Sequence, residues 1–185
     1  MKTSLLALAL VATLPALAHA EDGVTASVTP REAISREATT YVQLGGAVGA
    51  DWAAIYTAAT VEGGVRLAHS AVWLHGQVAA GAADEGWGRS GHGTYRSLRA
   101  GVEARGAFPG THDLVRIYGG LDVGYDSVGF SDTMGESAGM TVAVVRAGLD
   151  VGGANLRFRP GFELMPSASD TVGGLALTAA LAYQW

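Results

Sequence analysis

From residue 39 to the last residue, apolar and polar side chains alternate with a period of two. The sharpest stretch is LVRIYGGLDVGYD, where Val115, Ile117, Leu121, Val123 and Tyr125 alternate with Arg116, Tyr118, Asp122 and Asp126. SLRAGVEARG sets Leu98, Ala100, Val102 and Ala104 against Arg99, Gly101, Glu103 and Arg105, and NLRFRPGFEL sets Leu156, Phe158, Phe162 and Leu164 against Arg157, Arg159 and Glu163. The same phase separates Val61, Val65 and Leu67 from Glu62 and Arg66, and Val72, Leu74 and Val78 from Trp73, His75 and Gln77. Val145, Ala147, Leu149 and Val151 oppose Arg146, Gly148 and Asp150. YVQLGGAVGA alternates weakly, and LALTAALAYQW closes the set. Period two puts alternate side chains on opposite faces of a strand, so the chain reads as eight strands of ~10 residues.

The gaps between strands carry a second pattern. They are tight after strands two and six (near 69–70 and 152–155), and somewhat longer after strand four (GAFPGTHD). GADWAA follows strand one and MPSASDT follows strand seven. Strands three and five are followed by long polar stretches, GAADEGWGRSGHGT and DSVGFSDTMGESAG. Long loops on one side and short turns on the other imply antiparallel, up-and-down strands.

Residues 1–20 read as a cleaved signal peptide: Lys2, an apolar LLALALVATLPALA and a small-x-small Ala18-His19-Ala20. The apolar run falls short of a membrane-spanning helix and contains Pro15. Residues 21–38 form a leader, in which Thr29 as N-cap, Pro30 at the first helical position and Glu32 at the capping-box position predict a short helix over 30–37. Residues 39–185 are the barrel. There is no cysteine, which excludes disulfides and thiolate chemistry. No basic run marks a nucleic-acid partner.

Alternation leaves open which face points inward. A soluble ligand-binding barrel of the lipocalin kind puts the apolar face inside, whereas a transmembrane barrel puts it against lipid. Balanced charge favours the membrane. Arg66, Arg99, Arg105, Arg116, Arg146, Arg157 and Arg159 stand against Glu62, Glu103, Asp122, Asp126, Asp150 and Glu163 on the same phase, without lysine. Small residues mixed into that phase suit a narrow lumen. Seven arginines facing lipid at mid-depth would cost roughly 14–28 kcal/mol, so in a membrane the charged phase is the lumen. His75 joins this lumen network. Arg116→Leu is expected on this reading to cost a few kcal/mol through stranded buried carboxylates. Arg96 lies on the apolar phase, near a strand end where it can snorkel.

These features resemble the small bacterial outer-membrane β-barrels, the OmpA-type transmembrane domain and OmpX-like proteins. Leu177, Ala179, Leu181, Tyr183 and Trp185 resemble the family's C-terminal insertion signal, with tryptophan where phenylalanine is usual. The resemblance implies the barrel assembly machinery as a partner during insertion and outer-membrane lipid and lipopolysaccharide as surroundings. A wall-binding domain after Trp185 is not expected. Tyr41, Trp52, Tyr125, Tyr183 and Trp185 are the expected aromatic girdles.

Chemistry is sparse. The nearest approach to a hydrolase is Ser90, His92 and Thr94 with Asp84 and Glu85, and its plainer reading is a Gly-rich outer loop. Asp132, Glu136 and Asp170 lack a calcium-loop signature. Trp87 and Phe130 in the long loops are candidate surface anchors. The expected protein is a monomeric, cofactor-free outer-membrane barrel with a filled lumen and a structural or surface-interaction role; a lipid A-modifying enzyme is the alternative.

Overall fold

The computed structural model describes residues 38–51, 54–68, 70–85, 91–130, 137–166 and 173–185. The expected signal peptide, the helix over 30–37, and Trp52, His69, Trp87, Ser90, Asp132, Glu136 and Asp170 lie outside them. Eight strands follow in order: β1 (Thr40–Ala50), β2 (Ala54–Arg66), β3 (Val72–Glu85), β4 (His92–Ala107), β5 (Val115–Phe130), β6 (Ser137–Gly152), β7 (Leu156–Met165) and β8 (Gly174–Gln184). Each pairs antiparallel with the next, and β1 returns to β8 with Tyr41 opposite Gln184 and Ala50 opposite Leu175. The sheet is a closed barrel with no free edge. Pro160, which has no N–H to give, coincides with the one gap in the β6–β7 ladder, between Gly148–Gly161 and Val151–Phe158, across which the register is unchanged.

The turns Leu67–Ala71, Phe108–Leu114 and Gly153–Asn155 gather at one end, here called the inner end, with Thr39 and Trp185. The N–H of Thr39 donates to the carbonyl of Trp185 at 3.0 Å. Ala68, His112 and Asp113 turn the chain with positive φ in the first two of these connections.

Charge is inside and hydrocarbon outside. Leu177, Val123, Leu98 and Leu44 are 66%, 65%, 64% and 63% exposed, whereas Arg157, Arg159, Glu62 and Glu103 are 2% or less. This inversion settles the face question against the soluble, apolar-lined barrel. In water the belt of exposed leucine, valine and phenylalanine would far exceed an ordinary surface patch.

Strands run further outward than the alternation implies. β4, β5 and β6 have 16 residues each, where a bilayer's hydrocarbon needs ~9–11. Residues 81–85, 92–94, 126–130 and 137–139, expected in long loops, are strand. β2 likewise begins six residues earlier than its pattern, at Ala54. Past the hydrocarbon the outward face no longer has to be apolar, while the inward face carries small or apolar residues such as Ala83 and Val128. In AIYTAA both faces are apolar or small, so neither segment has a period to read.

Glycines on the inward phase make room for tyrosine rings. Tyr118 pairs across the ladder with Gly148, which itself faces Gly161 on β7. A Cβ on Gly148 would meet the Tyr118 hydroxyl at 2.6 Å, and one on Gly161 would meet it at 2.2 Å. Tyr41 covers Gly64 in the same way. Gly148→Val is therefore expected to destabilise the barrel by about 1–3 kcal/mol through overpacking, read from the urea midpoint in detergent micelles. An unchanged midpoint would mean that Tyr118 does not lie across that glycine.

Candidate functional site: the charged lumen

Twelve of the fourteen expected lumen residues are buried inside the barrel: Glu62, His75, Arg99, Glu103, Arg105, Asp122, Asp126, Arg146, Asp150, Arg157, Arg159 and Glu163. Their alternation with exposed leucine and valine places them there, since each strand turns every second residue inward.

Two ion clusters and a lower pair divide them. Arg146 of β6 reaches across the lumen. Its Nη1 lies 2.7 Å from Glu62 Oε2 on β2, 3.0 Å from His75 Nε2 on β3 and 3.5 Å from Asp122 Oδ2 on β5. Arg159 of β7 donates to Gln43 Oε1 on β1 at 2.7 Å and to both oxygens of Glu103 on β4 at 2.8 and 3.0 Å. Arg105 donates through Nε to Glu103 at 2.5 Å. Its two terminal nitrogens have no hydrogen-bond partner among the described residues. They are accounted for by aromatic faces, because the guanidinium sits 4.2 Å from the Tyr41 ring and 4.1 Å from that of Trp73. Tyr118 supports Arg159 at 4.2 Å from below.

Nearer the outer end, Arg99 of β4 bridges to Glu163 of β7 at 2.6 Å and forks onto Asp126 at 2.6 and 3.2 Å. Tyr95 and Ser97 add hydroxyl donors to the same Asp126, at 2.9 and 2.6 Å. Above this cluster the interior turns apolar, with Tyr56 and Tyr95 stacked 4.0 Å apart among Ala47, Ala54, Ala58, Ala83, Val128 and Ala176. At the inner end Arg157 holds Asp150 at 2.6 Å and the carbonyls of Asp113, Asp150 and Gly153 at 3.0 Å.

Two arginines stand apart from these clusters, and one tyrosine faces the other way. Arg116 and Arg66 are half-buried at the inner mouth, because they occupy strand ends. Arg116 pairs with Asp113 of the turn, a side chain 55% exposed, whose carboxyl it holds below the usual range by hydrogen bonding. Arg66 donates to the carbonyl of Ser70 at 2.6 Å. The large penalty expected for Arg116→Leu does not apply, since water reaches the carboxylate it would leave behind. Tyr41 is not a girdle residue. It is 2% exposed, points into the lumen and hydrogen-bonds Glu62, as its position between outward Val42 and the inner-end Thr40 dictates. Tyr125, Tyr183 and Trp185 face outward, each more than half exposed.

Glu62, His75 and Glu103 offer ligand atoms within 4.8 Å of one another, the spacing of a metal site. The Arg146 guanidinium already stands among them, at 2.7 Å from Glu62 and 3.0 Å from His75, and supplies the positive charge a metal would. At the outer rim, His92 Nδ1 lies 2.6 Å from Asp84, with both side chains well exposed.

In solved structures the likeness is to the small eight-stranded outer-membrane barrels. Neisserial surface protein A (NspA) aligns over 79% of this chain and 97% of its own with a TM-score of 0.61 at 14% identity. The N-terminal β-barrel domain of Pseudomonas aeruginosa OprF aligns over 80% and 99% with a TM-score of 0.55 at 16% identity. No protein-family model and no curated protein matches the chain. At such identities the likeness is one of fold, and this chain has that fold.

Removing Arg146 takes the guanidinium from between the buried carboxylates of Glu62 and Asp122, whereas removing Arg116 leaves one exposed acid. Arg146→Leu is expected to cost ~3–5 kcal/mol and Arg116→Leu less than about 1 kcal/mol, by urea unfolding in micelles. Equal losses would contradict the placement of the two arginines.

Proposed function

We propose that the protein is a non-enzymatic, monomeric outer-membrane barrel that presents its outer strands and loops at the cell surface. The carrying observation is the inversion of charge and hydrocarbon, with opposite walls of the lumen joined by ion pairs. Arg99–Glu163, Arg146–Glu62 and Arg159–Glu103 cross the space an ion would have to travel, and the apolar layer above them opposes wetting. The lumen therefore acts as a strut and is closed to diffusion.

On this reading residues 1–20 direct export and are removed, 21–38 form a periplasmic leader, and the short turns face the periplasm. The barrel assembly machinery inserts the chain through the outward Leu177, Leu181, Tyr183 and Trp185. Lipopolysaccharide surrounds the outer half, and no nucleic acid or cofactor takes part. The lipid A-modifying alternative rests on the exposed Asp84–His92 pair. His92→Ala leaving the lipid A mass spectrum unchanged on overexpression would argue against it.

The folded protein is expected to stay with outer membranes through alkaline carbonate extraction, to shift in gel mobility on boiling, and to give no channel conductance in planar bilayers. Release by carbonate would overturn the membrane assignment, and steady conductance would overturn the closed lumen.

A further inference from the structure

Arg96 is the one arginine among the described residues that faces outward, and no hydrogen bond or ion pair to it is found there. It sits on β4 opposite Ala80 of β3 and Ser127 of β5, and Ser127 in turn faces Gly139 of β6. One rung inward lie Val78, Leu98, Tyr125 and Thr141. There Leu98 and Tyr125 are 64% and 53% exposed and mark the upper margin of the apolar belt. One rung outward lie Ala82, Thr94 and Gly129. Arg96 thus lies in a clearing of alanine and glycine just outward of exposed Leu98 and Tyr125, and towards its ends a barrel wall tolerates an arginine.

The clearing is furnished with hydroxyl groups. Thr94 and Ser127 flank Arg96. Tyr125 leans over Gly139 of β6, where a Cβ would lie 2.0 Å from its hydroxyl, so its phenol oxygen lies beyond Ser127 as seen from Arg96. The one acid on the outward face of β3 to β6 among the described residues is Asp84, two rungs further out and engaged by His92 at 2.6 Å. A guanidinium fork with hydroxyl donors beside it and no carboxylate adjacent matches a phosphate monoester.

We propose that Arg96, with Thr94 and Ser127 beside it, binds the phosphate of a lipid headgroup in the outer leaflet. The apolar floor selects the lipid-borne form over the free anion. Val78 and Leu98 continue from the site into the belt, so a ligand with phosphate joined to acyl chains covers both surfaces at once. The inference rests on the membrane reading above.

The test uses full-length wild type and R96L folded in dodecyl maltoside, with the boiling shift verified for each. Native mass spectrometry then counts bound bisphosphorylated lipid A against the same lipid stripped of phosphate. Wild type is expected to prefer the phosphorylated lipid about tenfold, R96L to lose most of that preference, and R96K to keep part of it, as loss of a charged bidentate contact predicts. Equal preference in wild type and R96L overturns the site, and displacement by millimolar inorganic phosphate overturns the choice of a lipid ligand. Should R96L fail to fold, the Thr94→Ala, Ser127→Ala double variant supplies the comparison, and equal preference there likewise overturns the site. Absence of the boiling shift in wild type would instead count against the membrane barrel itself.

Discussion

Ion pairs that span the lumen hold this structure in its inverted form. Arg99 to Glu163 joins β4 to β7, and Arg146 to Glu62 joins β6 to β2. Charges removed from water on this scale are destabilising unless each finds partners, and here the partners of Arg99 and Arg146 include Glu163 and Glu62 across the lumen. Within the hydrocarbon the outward face needs only to be apolar. Backbone hydrogen bonding closes the sheet, and cross-lumen pairing decides what fills it. The two demands are met by alternate residues of the same strands, which is why a two-residue period marks the part of the barrel that holds the charges.

Interior geometry follows from that demand. Long arginines and bulky aromatic rings cannot all point into a narrow barrel unless other inward positions are nearly empty. Gly148 and Gly161 give way to Tyr118, and Gly64 gives way to Tyr41. Those rings in turn face Arg159 and Arg105, whose charges they share with the carboxylates. Glycine, tyrosine and arginine thus work as one packing unit, and the high glycine content reflects close approach more than turn chemistry.

Much of the barrel is legible in the amino-acid sequence, for a specific reason. Alternation reports the face of each residue, so the phase alone assigns Arg99, Glu103, Asp122 and Glu163 to one interior. It does not report partners. Arg146 and Glu62 are 84 positions apart, and Arg99 and Glu163 are 64 apart, with nothing local to couple them. Nearness to a strand end suggests a girdle position for Tyr41, although the phase set by Val42 and Leu44 already turns it inward. The outer ends of β4, β5 and β6 leave no periodic signal, because beyond the hydrocarbon neither face is required to be apolar. Arg96 stands at that boundary, which is why it looks like an exception to the apolar phase.

The central claim is that opposite walls are coupled through buried charge, and a double-mutant cycle on Arg99 and Glu163 tests it most directly. Arg99→Met, Glu163→Gln and the pair are compared with wild type by urea unfolding in micelles. The account predicts that the double variant loses less than the sum of the singles, with a coupling of about 2 kcal/mol or more. Additive losses would show that β4 and β7 do not meet across the lumen, and would contradict the account.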